Sequence, residues 1–123
     1  MTFSKTVLII EDETDTAEML AEMMRLSDYS SLHAYTAQQA LTLLTNHKPD
    51  LILLDIILPD FSGLELLRKI RQIPQFEDSP VIIITGNSQP LDIQNGYISG
   101  ASAYLTKPVA FWELKETIVS LMK

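Results

Sequence analysis

Val7-Leu8-Ile9-Ile10-Glu11-Asp12-Glu13 is the stretch whose reading decides the fold. Four branched aliphatic residues in a row, without polar alternation, suit a strand covered on both faces. The run then ends abruptly in carboxylates. The same form recurs as Leu51-Ile52-Leu53-Leu54-Asp55 and as Val81-Ile82-Ile83-Ile84-Thr85, the latter opened by Pro80. Ser31–Tyr35 can supply a further strand, and Ser102–Thr106 a short one leading into Lys107-Pro108. Helical periods fill the gaps. Ala17, Leu20, Ala21 and Met24 fall at i, i+3, i+4 and i+7, and Ala37, Ala40, Leu41 and Leu44 repeat the pattern until Pro49 stops it. Leu64–Ile73 carries Leu66, Leu67 and Ile70 as a core edge and ends at Pro74. Ser88–Ser99 reads as a weaker helix because Gly96 sits inside it. Phe111, Leu114, Ile118 and Leu121 mark a last helix.

This alternation predicts an α/β fold of (βα)5 type, flavodoxin-like, with one domain over residues 1–123. Its five-stranded parallel sheet is doubly wound, with right-handed crossovers and helices on both faces. The composition agrees: 123 residues, 46% hydrophobic and 20% charged, can bury a core without staples. With no cysteine there is no disulfide framework, thiolate metal site or thiol nucleophile. Nine basic against 16 acidic residues give a net charge of −7, which disfavours nucleic acid and anionic membranes as direct partners. No apolar run reaches membrane-span length, and the acidic residues 11–13 interrupt any signal-peptide core, so a cytoplasmic protein is expected.

In a sheet of this kind, ligands bind where loops leave the carboxyl ends of the strands. Glu11-Asp12, Asp55, Thr85 and Thr106-Lys107-Pro108 stand at four such ends. Clustered carboxylates repel one another and favour a hard divalent cation with oxygen ligands, Mg²⁺ or Mn²⁺. Lys107 can pair with a phosphoryl group and the Thr85 hydroxyl can bond one of its oxygens. Asp55, already ionised at neutral pH, is then a nucleophile toward phosphorus. Acidic residues after a strand can also simply favour a helix N-terminus, and Glu13 and Asp15 are read that way.

In order and at strand ends, the stretches Val7–Glu13, Asp50–Asp60, Gly63, Ile82–Asn87 and Gly100–Pro108 resemble the response-regulator receiver domains of two-component phosphorelays, over essentially the whole chain. The resemblance implies that Asp55 accepts a phosphoryl group from a sensor histidine kinase or histidine phosphotransfer protein. It implies a metal site of Glu11, Asp12, Asp55 and the Ile57 carbonyl, with Asp12 the more direct carboxylate ligand. It further implies Thr85 and Tyr104 as a switch pair, Lys107 as the phosphoryl contact, a cis bond before Pro108, and a downstream output protein or fused output domain. Departures from the commoner pattern fall at Ile57, at Gly86 where alanine is frequent, and at Ser102-Ala103 where an acidic pair is frequent. Ile57, Gly86 and Asn87 are expected to set the phosphate lifetime.

Other readings remain beside this one. An aspartyl phosphatase of the Asp-x-Asp kind lacks its general acid here, because residue 57 is Ile. A flavodoxin-like cofactor module would need a Gly/Ser/Thr-rich loop where Glu11-Asp12-Glu13 stands. The main alternative is a receiver-like interaction domain that works without phosphorylation. His33 and His47 lie apart from the cleft segments and read as structural or solvated, Met19, Met23 and Met24 as core or rim, and Asp60 and Gly63 as turn chemistry. Trp112, Val119 and Met122 lie off the core stripe of the last helix. They suggest a partner surface, or a homodimer through the fourth helix, fifth strand and fifth helix.

Overall fold

The computed structural model describes residues 5–122. Residues 1–4, part of the stretch on which the signal-peptide expectation rests, and Lys123 lie outside the described residues. The elements run β1 (Lys5–Ile10), α1 (Thr14–Leu26), β2 (Tyr29–Ala34), α2 (Ala37–Asn46), β3 (Leu51–Leu54), α3 (Gly63–Gln72), a 3₁₀ turn (Pro74–Phe76), β4 (Val81–Thr85), α4 (Pro90–Ile98), β5 (Ala103–Thr106) and α5 (Phe111–Leu121). The five strands are all parallel, in the order β2-β1-β3-β4-β5.

The three aliphatic runs are the central strands, and they divide their side chains between two cores. Leu8, Ile10, Ile52, Leu54, Val81 and Ile83 face α2 and α3, where Leu44, Leu66, Leu67 and Ile70 close over them. Val7, Ile9, Leu51, Leu53, Ile82 and Ile84 face α1 and α5, against Leu20, Met24, Leu114 and Ile118. A strand buried on both faces gains from every side chain, about 1.5–3 kcal/mol for each Leu or Ile. Unbroken runs are therefore favoured over alternation.

Two helix starts, those of α2 and α3, are capped by side chains. The Thr36 hydroxyl accepts from the Gln39 N–H at the start of α2, and the Ser62 hydroxyl from the Glu65 N–H at the start of α3. Asp60, in the loop after β3, caps α2 from outside it. Its carboxylate accepts from the Ala37 N–H at 2.9 Å and the Gln38 N–H at 3.1 Å. Gly63 is required by contact: a Cβ there would collide with the backbone of Ile56, whose carbonyl accepts the Gly63 N–H at 3.0 Å. The loop after β3 is thus closed on itself.

Helix α4 differs from the others, because Gly96 is its one fully buried residue. That glycine weakens the helix as an isolated segment, and the structure gives it a second role. A Cβ at Gly96 would lie 2.8 Å from the Tyr104 ring and 3.0 Å from Ile83, so glycine lets the helix pack directly on β5 and β4. Arg71 at the end of α3 ties down the turn beyond α4. It donates to the carbonyls of Gly100 (2.9 Å), Phe76 (2.8 Å) and Ser79 (2.6 Å), while Arg68 donates to the buried Ser99 hydroxyl at 2.8 Å.

Candidate functional site

The strand ends converge as the sequence reading expects. Ligand atoms of Glu11, Asp12 and Asp55 all lie within 4.8 Å of one another. Glu11 and Asp55 are buried at 1% and 6% exposure, whereas Asp12 is open to solvent. Lys107 arrives from the end of β5. Its Nζ donates to Glu11 Oε1 at 2.6 Å and to Asp55 Oδ2 at 2.7 Å, bridging residues 96 and 52 positions away. The other Asp55 oxygen, Oδ1, accepts the Ile57 N–H at 3.0 Å, and Glu11 Oε2 accepts the Glu13 N–H at 3.2 Å. Both buried carboxylates are therefore held at each of their oxygens.

The electrostatics follow from this burial. Desolvation raises the Glu11 carboxyl above its ordinary 4.5, against the lowering effect of the bonds from Lys107 and the Glu13 N–H; the Asp55 charge adds to the rise. Desolvation pulls the Lys107 ammonium down, but its hydrogen bonds to Asp55 and Glu11 win and hold it above 10.5. The site is thus a charged cluster with more carboxylate than cation. Three carboxylates within 4.8 Å form an all-oxygen donor set that suits a hard divalent cation.

Thr85 ends β4 beside this cluster, and its buried hydroxyl has no hydrogen-bond partner among the described residues. Buried hydroxyls are nearly always paired, so an orphaned one next to a charged cleft marks a place for an absent acceptor. Tyr104 lies half-buried on β5, with its ring against Gly96 and its hydroxyl donating to the Asn87 carbonyl at 2.8 Å. Burial raises its phenol pKa, with smaller contributions from Asp92 and Asp55. Gly86 and Asn87 follow Thr85 directly, and a Cβ at Gly86 would meet nothing within 4 Å. The Lys107–Pro108 peptide bond is cis. The Ile57 side chain points outward, 56% exposed.

One expectation needs correction. His33 is not remote from the cleft: its Nε2 lies 2.8 Å from the Glu11 carbonyl oxygen. A side chain bonding to a backbone atom leaves no residue pattern, so the sequence carries no signal for it. His47 does fit a structural role, its ring contacting the Leu43 carbonyl at the end of α2. Of the residues off the core stripe of α5, Trp112 (66%) and Val119 (56%) are exposed and Met122 is partly buried against the α1–α5 core. A cavity of about 590 Å³ lined by Lys5, Asp28, Tyr29 and Lys115 opens at the opposite, amino end of the strands and includes none of the cleft residues.

Comparison with known proteins agrees with this geometry. A family model described as the response regulator receiver domain matches residues 7–119. The phosphate regulon transcriptional regulatory protein PhoB of Pseudomonas aeruginosa is 36% identical over 119 residues, which are 97% of this chain and 52% of PhoB. The polar-differentiation response regulator DivK of Brucella anthropi is 32% identical over 118 residues, 96% of each protein. The chain therefore spans about half the length of PhoB and nearly all of DivK. Among solved structures, a two-component response regulator from Clostridium difficile superposes with a TM-score of 0.90 at 28% identity, covering 97% of this chain and 96% of that one. No helix among the described residues is long and apolar enough to cross a membrane.

Proposed function

The chain belongs to the response regulator receiver domain family, and on that premise we propose that it is a phospho-accepting switch, with residues 1–123 acting as one receiver and Asp55 as its phosphorylation site. Receivers of this family interact with histidine kinases and output domains. Here the donor is the phosphohistidine of a sensor kinase or histidine phosphotransfer protein. The observation that carries the reading is the buried Asp55, bonded to Lys107 and set among carboxylates.

The chemistry follows from the residues. An Asp55 carboxylate oxygen attacks phosphorus in line with the bond to the donor imidazole. The P–O bond forms as the P–N bond breaks, and the donor imidazole, already carrying hydrogen on its other ring nitrogen, leaves as the neutral base. Lys107 neutralises charge on the phosphoryl oxygens, and the unpaired Thr85 hydroxyl supplies a donor to one of them. Glu11, Asp12, Asp55 and the Ile57 carbonyl would hold Mg²⁺ or Mn²⁺, which when bound supplies positive charge against the transferring phosphoryl oxygens. Ile57, Gly86 and Asn87 line the approach of hydrolytic water and set the phosphate lifetime.

The switch follows from the same contacts. As Thr85, at the end of β4, turns toward a phosphate, Tyr104 trades its bond to Asn87 for an inward position. This shifts a two-state population and changes the α4–β5–α5 surface. Leu91, Ile98, Trp112 and Val119 are exposed on its helices and are assigned to partner binding or a homodimer. Sedimentation or partner binding unchanged by Trp112→Ala with Val119→Glu would remove that assignment.

The direct test is incubation with Mg²⁺ and a small acyl or amido phosphodonor, read by intact mass. Wild type gains one acid-labile phosphoryl group and Asp55→Asn gains none. Equal labelling of Asp55→Asn would overturn the site. Unlabelled wild type that still bound partners would instead favour the phosphorylation-independent reading.

A further inference from the structure

Glu11 and Asp12 are consecutive, so the peptide between them decides whether both carboxylates can face one cation. That peptide lies just beyond the end of β1, where regular strand pairing stops. Its carbonyl belongs to Glu11, and His33 Nε2 lies 2.8 Å from it. A carbonyl only accepts, so the contact requires the tautomer with hydrogen on Nε2. The register brings the ring there: Ile9 and Ile10 of β1 pair with His33 and Ala34 of β2. The ring is half-buried and lies against Tyr35, with centroids 3.7 Å apart.

Resting on the receiver reading above, we infer that His33 is a positioning residue for the cation site, fixing the Glu11–Asp12 peptide through the Glu11 carbonyl. Glu11 is then held at three points. Its N–H donates to the Ala34 carbonyl at 3.0 Å, its carbonyl accepts from His33, and its carboxylate takes Lys107. Both backbone contacts come from β2, an edge strand that contributes no carboxylate to the cluster. Asp12, which is exposed and has no hydrogen bond among the described residues to fix it, depends on that peptide for its direction. Partners that orient metal ligands in this way commonly change affinity when removed.

The substitutions that isolate the contact are His33→Phe, which keeps a flat ring beside Tyr35 but removes the donor, and His33→Gln, which restores an N–H at similar reach. Mg²⁺ binding to the unphosphorylated protein is measured by titration calorimetry. The Mg²⁺ midpoint and the rate at saturating Mg²⁺ are measured separately with a small phosphodonor. His33→Phe is expected to weaken Mg²⁺ binding roughly three- to tenfold, the equivalent of one lost hydrogen bond, with a smaller effect on the saturated rate. His33→Gln is expected to recover most of the affinity. Unchanged affinity in His33→Phe, or a Gln variant as weak as the Phe variant, would overturn the inference while leaving Asp55 chemistry intact. A lowered unfolding midpoint with unmoved affinity would show a purely structural contact and overturn it as well. Wild type that binds no Mg²⁺ and takes no label would overturn this inference and the receiver chemistry together.

Discussion

Lys107→Met tests the electrostatic account of the site most severely. The variant keeps much of the side-chain length and removes the cation that bridges Glu11 and Asp55 at 2.6 and 2.7 Å. With an effective dielectric near 20, each contact is worth roughly 6 kcal/mol of gross attraction, most of it offset by desolvation. What remains after deletion is two carboxylates, 1% and 7% exposed at their side chains, with no cation between them. Breaking a buried pair from one side costs about 3–5 kcal/mol. We expect about 3–4 kcal/mol in urea unfolding at pH 7.5 without divalent cations, or roughly 10–15 °C in Tm for a chain of this size. The pH dependence gives a second check. The folded Glu11 carboxyl lies above 4.5, so its protonation favours the folded state below that value, and this stability is lost as pH rises through the raised folded value. Removing Lys107 takes away a lowering influence and pushes Glu11 higher still. The gap between mutant and wild type should therefore narrow as pH falls from 7.5 toward 4.5. Glu11→Gln added to Lys107→Met should recover more than half the loss. A deficit under about 1 kcal/mol, or a gap that widens in acid, would refute the view that Lys107 neutralises this pair.

Further expectations concern the elements around the cleft. Gly96→Ala should destabilise by about 1 kcal/mol, because overpacking against Tyr104 and Ile83 outweighs the usual helical gain of alanine; a stabilised variant in chemical unfolding would refute the close-packing role. Asp60→Ala should lower the unfolding midpoint at pH 7. Bonds from the Ala37 N–H, and then the Gln38 N–H, hold the Asp60 carboxyl below 3.8, so its contribution is present above that value and lost as pH falls through the lower folded value. The two proteins should converge in strong acid, and an undiminished gap there would count against the cap. Ile57→Asn should speed loss of the phosphoryl group roughly threefold or more by orienting the attacking water; an unaltered decay, followed by mass, would reject residue 57 as a determinant of lifetime.

The central strands and the acidic cleft were legible because each depends on residue type and position in the chain. β3 matches its expected limits of residues 51–54, and Glu11, Asp55 and Lys107 meet as strand-end residues should. Three features were not legible. β2 begins at Tyr29 and ends at Ala34, two residues before and one before the expected limits, because an edge strand buries only part of its side chains and lacks an unbroken apolar run. Gly96 read as a defect of α4, since propensity describes an isolated helix and says nothing of a ring packed on its surface. The Arg71 contacts end on the carbonyls of Phe76, Ser79 and Gly100, and carbonyls have no sequence identity.

The placement of the chemistry has a simple backbone origin. Glu11 follows β1, Asp55 follows β3 and Lys107 follows β5, each as the first residue past its strand. Yet each still extends the sheet by one hydrogen bond: the Glu11 N–H to Ala34, the Asp55 N–H to Ile10 and the Lys107 N–H to Thr85, at 3.0, 3.0 and 2.8 Å. One residue earlier, at Ile10 and Leu54, a side chain is packed into an aliphatic core, where a charge is costly. One residue later, as with exposed Asp12, it loses the register that aims it. The last laddered position is where a charged side chain can be partly desolvated and still be held by rigid backbone. Parallel strands bring several such positions to one edge together. A receiver site can therefore be assembled from residues up to 96 positions apart without dedicated loops, since the sheet itself sets the distances.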